Sequence, residues 1–359
     1  MNLMIIIPEM NRGGAEKIVA LLANRIVNIK EDSVSILVYG NSKPAYTLNP
    51  NIKYINLNLS SIELKLKFPV IWKIHRNLID NSIDVVLGFS TGVSKIIPIA
   101  SVGICCRTIG SERSNPYNRS DNKFRRLITN VLFSCLDGII FTTKGCCNYY
   151  NEKVRRKSVI IPNGYEKKIA HSEPCLRRSD RKDIIAVGNL RKVKDYPTMI
   201  KAFSIFATKH HDFSLHIYGE GIEEKRIQNL INEYKLQKKV FLHGSINDLT
   251  KIYRSCRFLV HSSRSESWCN AILEALSFGV PCIAADCDFG PREMIRSGFN
   301  GYLYEVGNAE ELAYYMELLA EDKGLLDKMS FNARQDAKQF EFESIFNRYY
   351  DFILKDNKK

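Results

Sequence analysis

A chain of 359 residues is long enough for two domains with separate hydrophobic cores. Its composition, 45% hydrophobic and 25% charged with no low-complexity tract or fixed-period repeat, excludes disordered, fibrous and solenoid classes. Residues 1–182 hold 28 Lys and Arg against 14 Asp and Glu, so they carry the whole of the +13 net charge. Such a half suits an anionic partner, either nucleic acid or a phospholipid surface, and equally suits a merely solvated basic face.

The N-terminus, MNLMIIIPEMNRGG, has no basic leader and too short an apolar run for a signal peptide. No uncharged apolar stretch reaches the roughly 18 residues of a membrane-spanning helix. The ten cysteines include no C-x-x-C pair, so no zinc site is indicated, and free thiols fit a reducing cytosol.

In chain order, short β-branched runs (LMIIIP, SVSILVY, DVVLGF, GICCRTIG, GIIFTT, SVIIPNG) alternate with amphipathic stretches such as 124–136. In that stretch Phe124, Leu127, Ile128, Val131 and Leu132 recur at helical spacing. Residues 166–183 are polar and read as a linker. The alternation resumes with DIIAVG, FSLHIYG, KVFLHG, RFLVHS and VPCIAA, then ends in an aromatic helix at about 340–355. Strands alternating with helices predict two doubly wound parallel-sheet domains, 1–165 and 184–339, with ligand at the carboxyl ends of the strands.

Residues 261–295 (HSSRSESWCNAILEALSFGVPCIAADCDFGPREMI) concentrate the polar chemistry. Ser267 is the expected N-cap of a helix from Trp268 to Phe278, stopped by Gly279 and Pro281. Glu266 would lie in the loop and Glu274 one to two turns into the helix, with the amides of Cys269, Asn270 and Ala271 between them. Carboxylates suit sugar hydroxyls, and a helix N-terminus suits a diphosphate.

The phrases SRSES, NAILEAL, GVPCIA and GPREMI together resemble the donor-binding segment of the retaining glycosyltransferases of family four, which have the GT-B fold. The resemblance implies two Rossmann-like domains facing a cleft, an N-terminal acceptor domain to which the last helix returns, and a C-terminal nucleotide-sugar domain. It makes Glu266 and Glu274 the family's E-x7-E pair. Glu274 would contact the ribose, Glu266 would lie near the transferred sugar, and the backbone from Ser267 and Trp268 to Ala271 would hold hydroxyls or phosphate. RGGAEK resembles the first glycine-rich loop, in which Gly13 and Gly14 admit the diphosphate before a helix beginning at Glu16 and Lys17.

After the first strand of the second domain, relatives carry an arginine where this chain has Asn189, following Gly188. Lys194 keeps the family's lysine position, and Arg191 is placed to supply the missing cation. Ser245 and Ile246 stand where relatives contact the base. In RTIGSERSNPYNR, Arg113 takes the place of a histidine on the acceptor side. DCD (Asp286, Asp288) imitates a metal-binding motif of a different fold, so no metal and no cofactor are expected.

The expected reaction moves a hexose or N-acetylhexosamine, with retention, from a nucleotide diphosphate sugar, UDP-linked on the lean of GPREMI. The expected acceptor is an undecaprenyl-diphosphate-linked glycan of O-antigen or capsule assembly, met from the cytoplasm at the inner membrane surface. Residues 62–76 either touch that surface or pack as an ordinary helix. A GT-B-like nucleotide-sugar epimerase is the alternative enzyme, but it carries other histidines and acids. A basic nucleic-acid binder is the non-enzymatic alternative, and no RNA-binding motif supports it.

Overall fold

The structure is a computed structural model that describes every residue except 12, 30, 31, 41, 42, 119–122, 167–177, 247 and 355–359. Most of the predicted linker therefore lies outside the described residues. Two compact units are found, one of residues 1–163 with 343–359 and the other of residues 164–342.

The first unit holds seven strands: β1 (Asn2–Ile7), β2 (Ser33–Val38), β3 (Lys53–Asn56), β4 (Val85–Gly88), β5 (Arg107–Glu112), β6 (Gly138–Phe141) and β7 (Ser158–Ile160). They lie in the order β3-β2-β1-β4-β5-β6-β7, all neighbours parallel. The second holds β8 (Asp183–Val187), β9 (Ser214–Tyr218), β10 (Val240–Leu242), β11 (Phe258–His261), β12 (Cys282–Ala285) and β13 (Gly301–Tyr304). Their order is β10-β9-β8-β11-β12-β13, again parallel. These are the two Rossmann-like sheets that the strand–helix alternation predicts.

A parallel sheet covered on both faces needs strands apolar on both sides, and successive side chains point to opposite faces. In the second unit Ile184, Phe258, Val260 and Ile283 enter one core with Phe203, Phe206 and Met316. Ile185, Leu259, Cys282 and Ala284 enter the opposite core with Trp268, Leu273 and Leu276. Burial of each Ile, Leu, Val, Phe or Met side chain among them contributes about 1.5–3 kcal/mol.

The order of each sheet reverses between β1 and β4 and between β8 and β11. Loops leaving the carboxyl ends at these reversals border a crevice, where ligands of this architecture collect. RGGAEK follows β1, GNLRKVK follows β8 and SSRSESWC follows β11.

The last described helix is Phe342–Leu354, which from Glu343 on belongs to the first unit. It buries Ile345, Tyr349 and Ile353, four residues apart. A Cβ at Gly138 would come within 2.8 Å of the Phe352 ring, so the glycine admits that ring against β6. Arg178, within the predicted linker, is buried in the second unit and donates to the carbonyls of Cys256 (2.7 Å) and Phe278 (2.8 Å).

Candidate active site

Two loops of the second unit build the polar cluster. The loop after β8 starts at Gly188, whose carbonyl accepts from Tyr196 Oη at 2.7 Å. This carbonyl sits so close to the strand end of β9 that a Cβ on Gly219 would be 2.0 Å from it. Lys192–Lys194 then forms a short 3-10 turn that ends at Asp195, which is left-handed at φ +47. Asp195 is held there by Arg264 Nη2 (2.8 Å) and Thr198 Oγ1 (2.8 Å).

The loop after β11 is stapled to that turn. Ser262 Oγ donates to the Lys194 carbonyl (2.7 Å), and Arg264 N donates to the Val193 carbonyl (2.8 Å). Lys194 and Glu266, 72 residues apart, thereby meet, with Nζ donating to Oε1 at 2.5 Å. His261 Nε2, at the end of β11, is 3.2 Å from the same oxygen.

The pair is largely out of water, with side-chain exposure of 22% for Lys194 and 12% for Glu266. Burial alone would push the Glu266 carboxyl up, but Lys194 and then His261 outweigh it and hold it at about 2. Burial alone would likewise lower His261, yet Cys269 and Glu266 bring it up to about 9. Lys194 stays above its usual value because Glu266 offsets the cost of burying the ammonium. Glu266 thus lies against the Lys194 ammonium on one oxygen, with the His261 ring, whose protonated form its neighbours favour, beside it.

Cys269 completes the group, for its Sγ and donor atoms of His261 and Glu266 all lie within 4.8 Å of one another. Among the described residues this trio is the set with the composition of a metal site, and its carboxylate is already engaged by Lys194. Asp286 is bound to Arg292 Nε at 3.0 Å, and Asp288 is exposed.

The helix after the cluster runs from Asn270 to Ser277, with Cys269 as N-cap, and not from Trp268 with Ser267 as cap. Trp268 is drawn into the core edge-on to Phe340 (ring centroids 5.3 Å apart), and Cys269 stays extended, so the first turn is delayed by two residues. Cys269 and Asn270 thus lie at the cap and first turn, and Ala271 just inside. Glu274 accepts from the fully buried Tyr253 Oη at 3.3 Å.

The other predicted residues take separate places. Asn189 and Arg191 are exposed on the β8 loop, with Arg191 at the N-cap position of the turn that carries Lys194. Ser245 N donates to Glu220 Oε1 (3.1 Å), and Ile246 is exposed beside it. In the first unit the helix begins at Gly14, two residues earlier than the predicted Glu16. Gly13 is its N-cap in an extended conformation open to any residue, so turn geometry does not demand a glycine. A Cβ there would collide with the Glu16 carboxylate at 2.2 Å, a side chain able to swing away.

Arg113 lies over the Phe89 ring (4.1 Å to the centroid), donates to Asn163 Oδ1 at 3.0 Å and reaches Tyr349 Oη. Its guanidinium thus ties the end of β5 to the C-terminal helix. Neighbouring Glu112 is fully buried and accepts from Thr91 Oγ1 (2.5 Å) and Tyr150 Oη (2.6 Å).

Sequence reasoning missed His261, the Cys269 thiol, Tyr253 and Glu112. A histidine closing a strand directly before the SSRSE loop was the one legible signal among them.

Residues 168–336 match the family described as Glycosyl transferases group 1. This segment belongs to the group 1 glycosyl transferases. The group 1 segment contains the whole Lys194–Glu266–His261 cluster and Glu274. Along its whole length the chain is similar to bacterial glycosyltransferases. One, from Haemophilus influenzae and described as an uncharacterized glycosyltransferase, is 24% identical over 339 residues, 94% of this chain and 95% of that one. Another, from Campylobacter jejuni, is 27% identical over 376 residues, 98% of each chain. It is named N-acetylgalactosamine-N,N'-diacetylbacillosaminyl-diphospho-undecaprenol 4-alpha-N-acetylgalactosaminyltransferase. The crystal structure of Anabaena Alr3699/HepE in complex with UDP and glucose shares the fold, with a TM-score of 0.84 at 16% identity over 99% of this chain and all of that one.

Proposed function

We propose that the chain transfers a hexose or N-acetylhexosamine, with retention, from a UDP-sugar to a growing lipid-linked oligosaccharide of cell-surface polysaccharide assembly. The observation that carries this reading is the Lys194–Glu266–His261 cluster at the start of the helix that bears Glu274. A departing nucleoside diphosphate needs positive charge where its negative charge develops. Lys194 and the amides at the start of helix Asn270–Ser277 meet that need, and Arg191 reaches in from the exposed loop. Lys194 leaves one carboxylate oxygen of Glu266 and turns to the diphosphate, while His261 remains beside Glu266. Glu266 then orients the transferred sugar, Glu274 takes the ribose hydroxyls, and Ser245 and Ile246 border the base. Gly13 and Gly14 give the first unit a backbone surface that a phosphate or sugar can approach closely.

The lipid-linked acceptor and the UDP donor are supported by relatives whose names carry a diphospho-undecaprenol acceptor and UDP. The acceptor is assigned to the first unit, with Arg113 holding the β5 loop in place, and the membrane surface is approached from the cytoplasm. Charge neutralisation by Lys194 and Arg191 leaves no step that calls for a metal ion. No observation favours an epimerase or a nucleic-acid binder.

Nucleotide release from a panel of UDP- and GDP-sugars, with and without EDTA, tests the reading beside a Glu274→Ala control. Release from one UDP-sugar, unaffected by EDTA and lost in the control, is expected. Failure of any nucleotide sugar to react, together with no binding of free UDP, refutes it.

A further inference from the structure

Phe124, Leu127, Ile128 and Val131 recur at the spacing that ordinarily marks a core-facing stripe. In the helix Lys123–Ser134 that stripe faces solvent. The four side chains are 66%, 60%, 41% and 55% exposed, whereas Thr129, Asn130 and Phe133 are buried. At about 100° per residue the four fall within an arc of about 100°, and Lys123 and Arg125 lie about 100° to either side of Phe124. No carboxylate interrupts the helix, KFRRLITNVLFS.

The inward side is fastened by specific contacts, so the outward stripe is a property of the fold. Asn130 Oδ1 accepts from Asn151 N at 2.9 Å. Arg126 donates to the Tyr149 carbonyl at 2.6 Å and lies over the Tyr149 ring, 4.3 Å from its centroid. Phe133 stacks on Tyr150 at 5.1 Å.

A second segment repeats the arrangement. The short helix Ser61–Leu66 buries none of its residues. The next helix, Phe68–Asp80, turns Val70, Ile74 and Leu78 inward and leaves Phe68, Trp72 and Ile79 exposed, with Arg76 over the Trp72 ring. Both segments belong to the first unit, and helix Thr91–Ala100 packs against Phe68–Asp80 and Lys123–Ser134.

We propose that the first unit docks on an anionic lipid surface through the outward stripe of helix Lys123–Ser134, with the 61–80 segment as a second contact. An apolar stripe flanked by cations is the signature of a helix lying in the headgroup region. The flanking Lys123 and Arg125 complement anionic headgroups, and the charge excess of the chain belongs to this same half. Among the described residues no helix is long and apolar enough to cross a membrane, so the contact is interfacial. The inference rests on the lipid-linked acceptor proposed above and names the surface that brings the enzyme to it.

Flotation of the full chain with vesicles of phosphatidylglycerol and phosphatidylcholine, against phosphatidylcholine alone, tests the proposal. The wild type is expected to float with the anionic vesicles and not with the neutral ones. Leu127→Gln with Val131→Gln is expected to lower that partitioning by about tenfold or more, and Lys123→Gln with Arg125→Gln to weaken it and its salt sensitivity. Phe331→Gln, at an exposed aromatic of the second unit, is expected to change nothing. Circular dichroism and thermal unfolding establish that each variant is folded.

Equal flotation of wild type and the Leu127/Val131 variant overturns the proposal, as does failure of the wild type to bind anionic vesicles at low salt. A dimer in sedimentation equilibrium that this variant abolishes, without change in flotation, assigns the stripe to a second copy and also overturns it. Sugar turnover without flotation refutes the docking alone. Flotation with neither turnover of any nucleotide sugar nor binding of free UDP refutes only the transferase reading.

Discussion

Lys194→Met isolates the central ion pair, because methionine keeps much of the side-chain volume and removes the charge. At 2.5 Å and an effective dielectric of about 20, the attraction between Lys194 and Glu266 is about 7 kcal/mol. Desolvation of both groups takes back much of it. Breaking a buried pair from one side costs about 3–5 kcal/mol, since the remaining charge is stranded. Here His261 stays 3.2 Å from Glu266 and both side chains keep some access to water, so the lower end applies, about 3 kcal/mol.

The chain has two tryptophans, one in each unit. Trp72 is exposed and Trp268 is buried against Phe340, so a Trp72→Phe background leaves Trp268 fluorescence as the reporter for the second unit. Urea unfolding at neutral pH should show the loss in Lys194→Met and recover part of it in Lys194→Met with Glu266→Gln, where no carboxylate is stranded and His261 can shed its proton. Donor turnover should fall by about two orders of magnitude or more in both variants. A Lys194→Met protein within about 0.5 kcal/mol of wild type, or a double variant whose losses simply add, would refute the argument.

The His261 side chain gives a pH-dependent test. Its folded value, about 9, lies above its ordinary 6.5, so its stabilising contribution is complete below 6.5 and lost as pH rises through about 9. Glu266, held at about 2 against an ordinary 4.5, contributes fully above 4.5 and loses its contribution as pH falls through about 2. Unfolding midpoints of wild type and His261→Gln should therefore differ at pH 7 and converge by about pH 10; a constant gap counts against the assigned charge. Tyr253→Phe removes the donor to Glu274, and calorimetry should find UDP bound about fivefold more weakly, the equivalent of about 1 kcal/mol. Gly219→Ala places a Cβ 2.0 Å from the Gly188 carbonyl at φ +148, and thermal unfolding should report a loss of more than about 2 kcal/mol.

The class of fold was legible because it rests on local pattern. Runs such as LMIIIP and DIIAVG are apolar on both faces, which suits only strands covered from both sides. The neighbourhood of Glu266 and Glu274 was legible for a similar reason: both lie within one short segment, Glu274 inside helix Asn270–Ser277. What tertiary structure decided lies elsewhere. Lys194 meets Glu266 only because the β8 and β11 loops emerge side by side where the sheet order reverses. His261 meets Glu266 only because β11 ends against that carboxylate. Tyr253 and Arg113 acquire partners 21 and 236 residues away, which no local spacing encodes. Helix Lys123–Ser134 marks the limit most clearly. Its period reports a helix with one apolar side, but which side meets the protein depends on neighbours the helix does not contain. Asn151, Tyr149 and Tyr150 hold its polar side inward, and the apolar stripe is left to water or lipid.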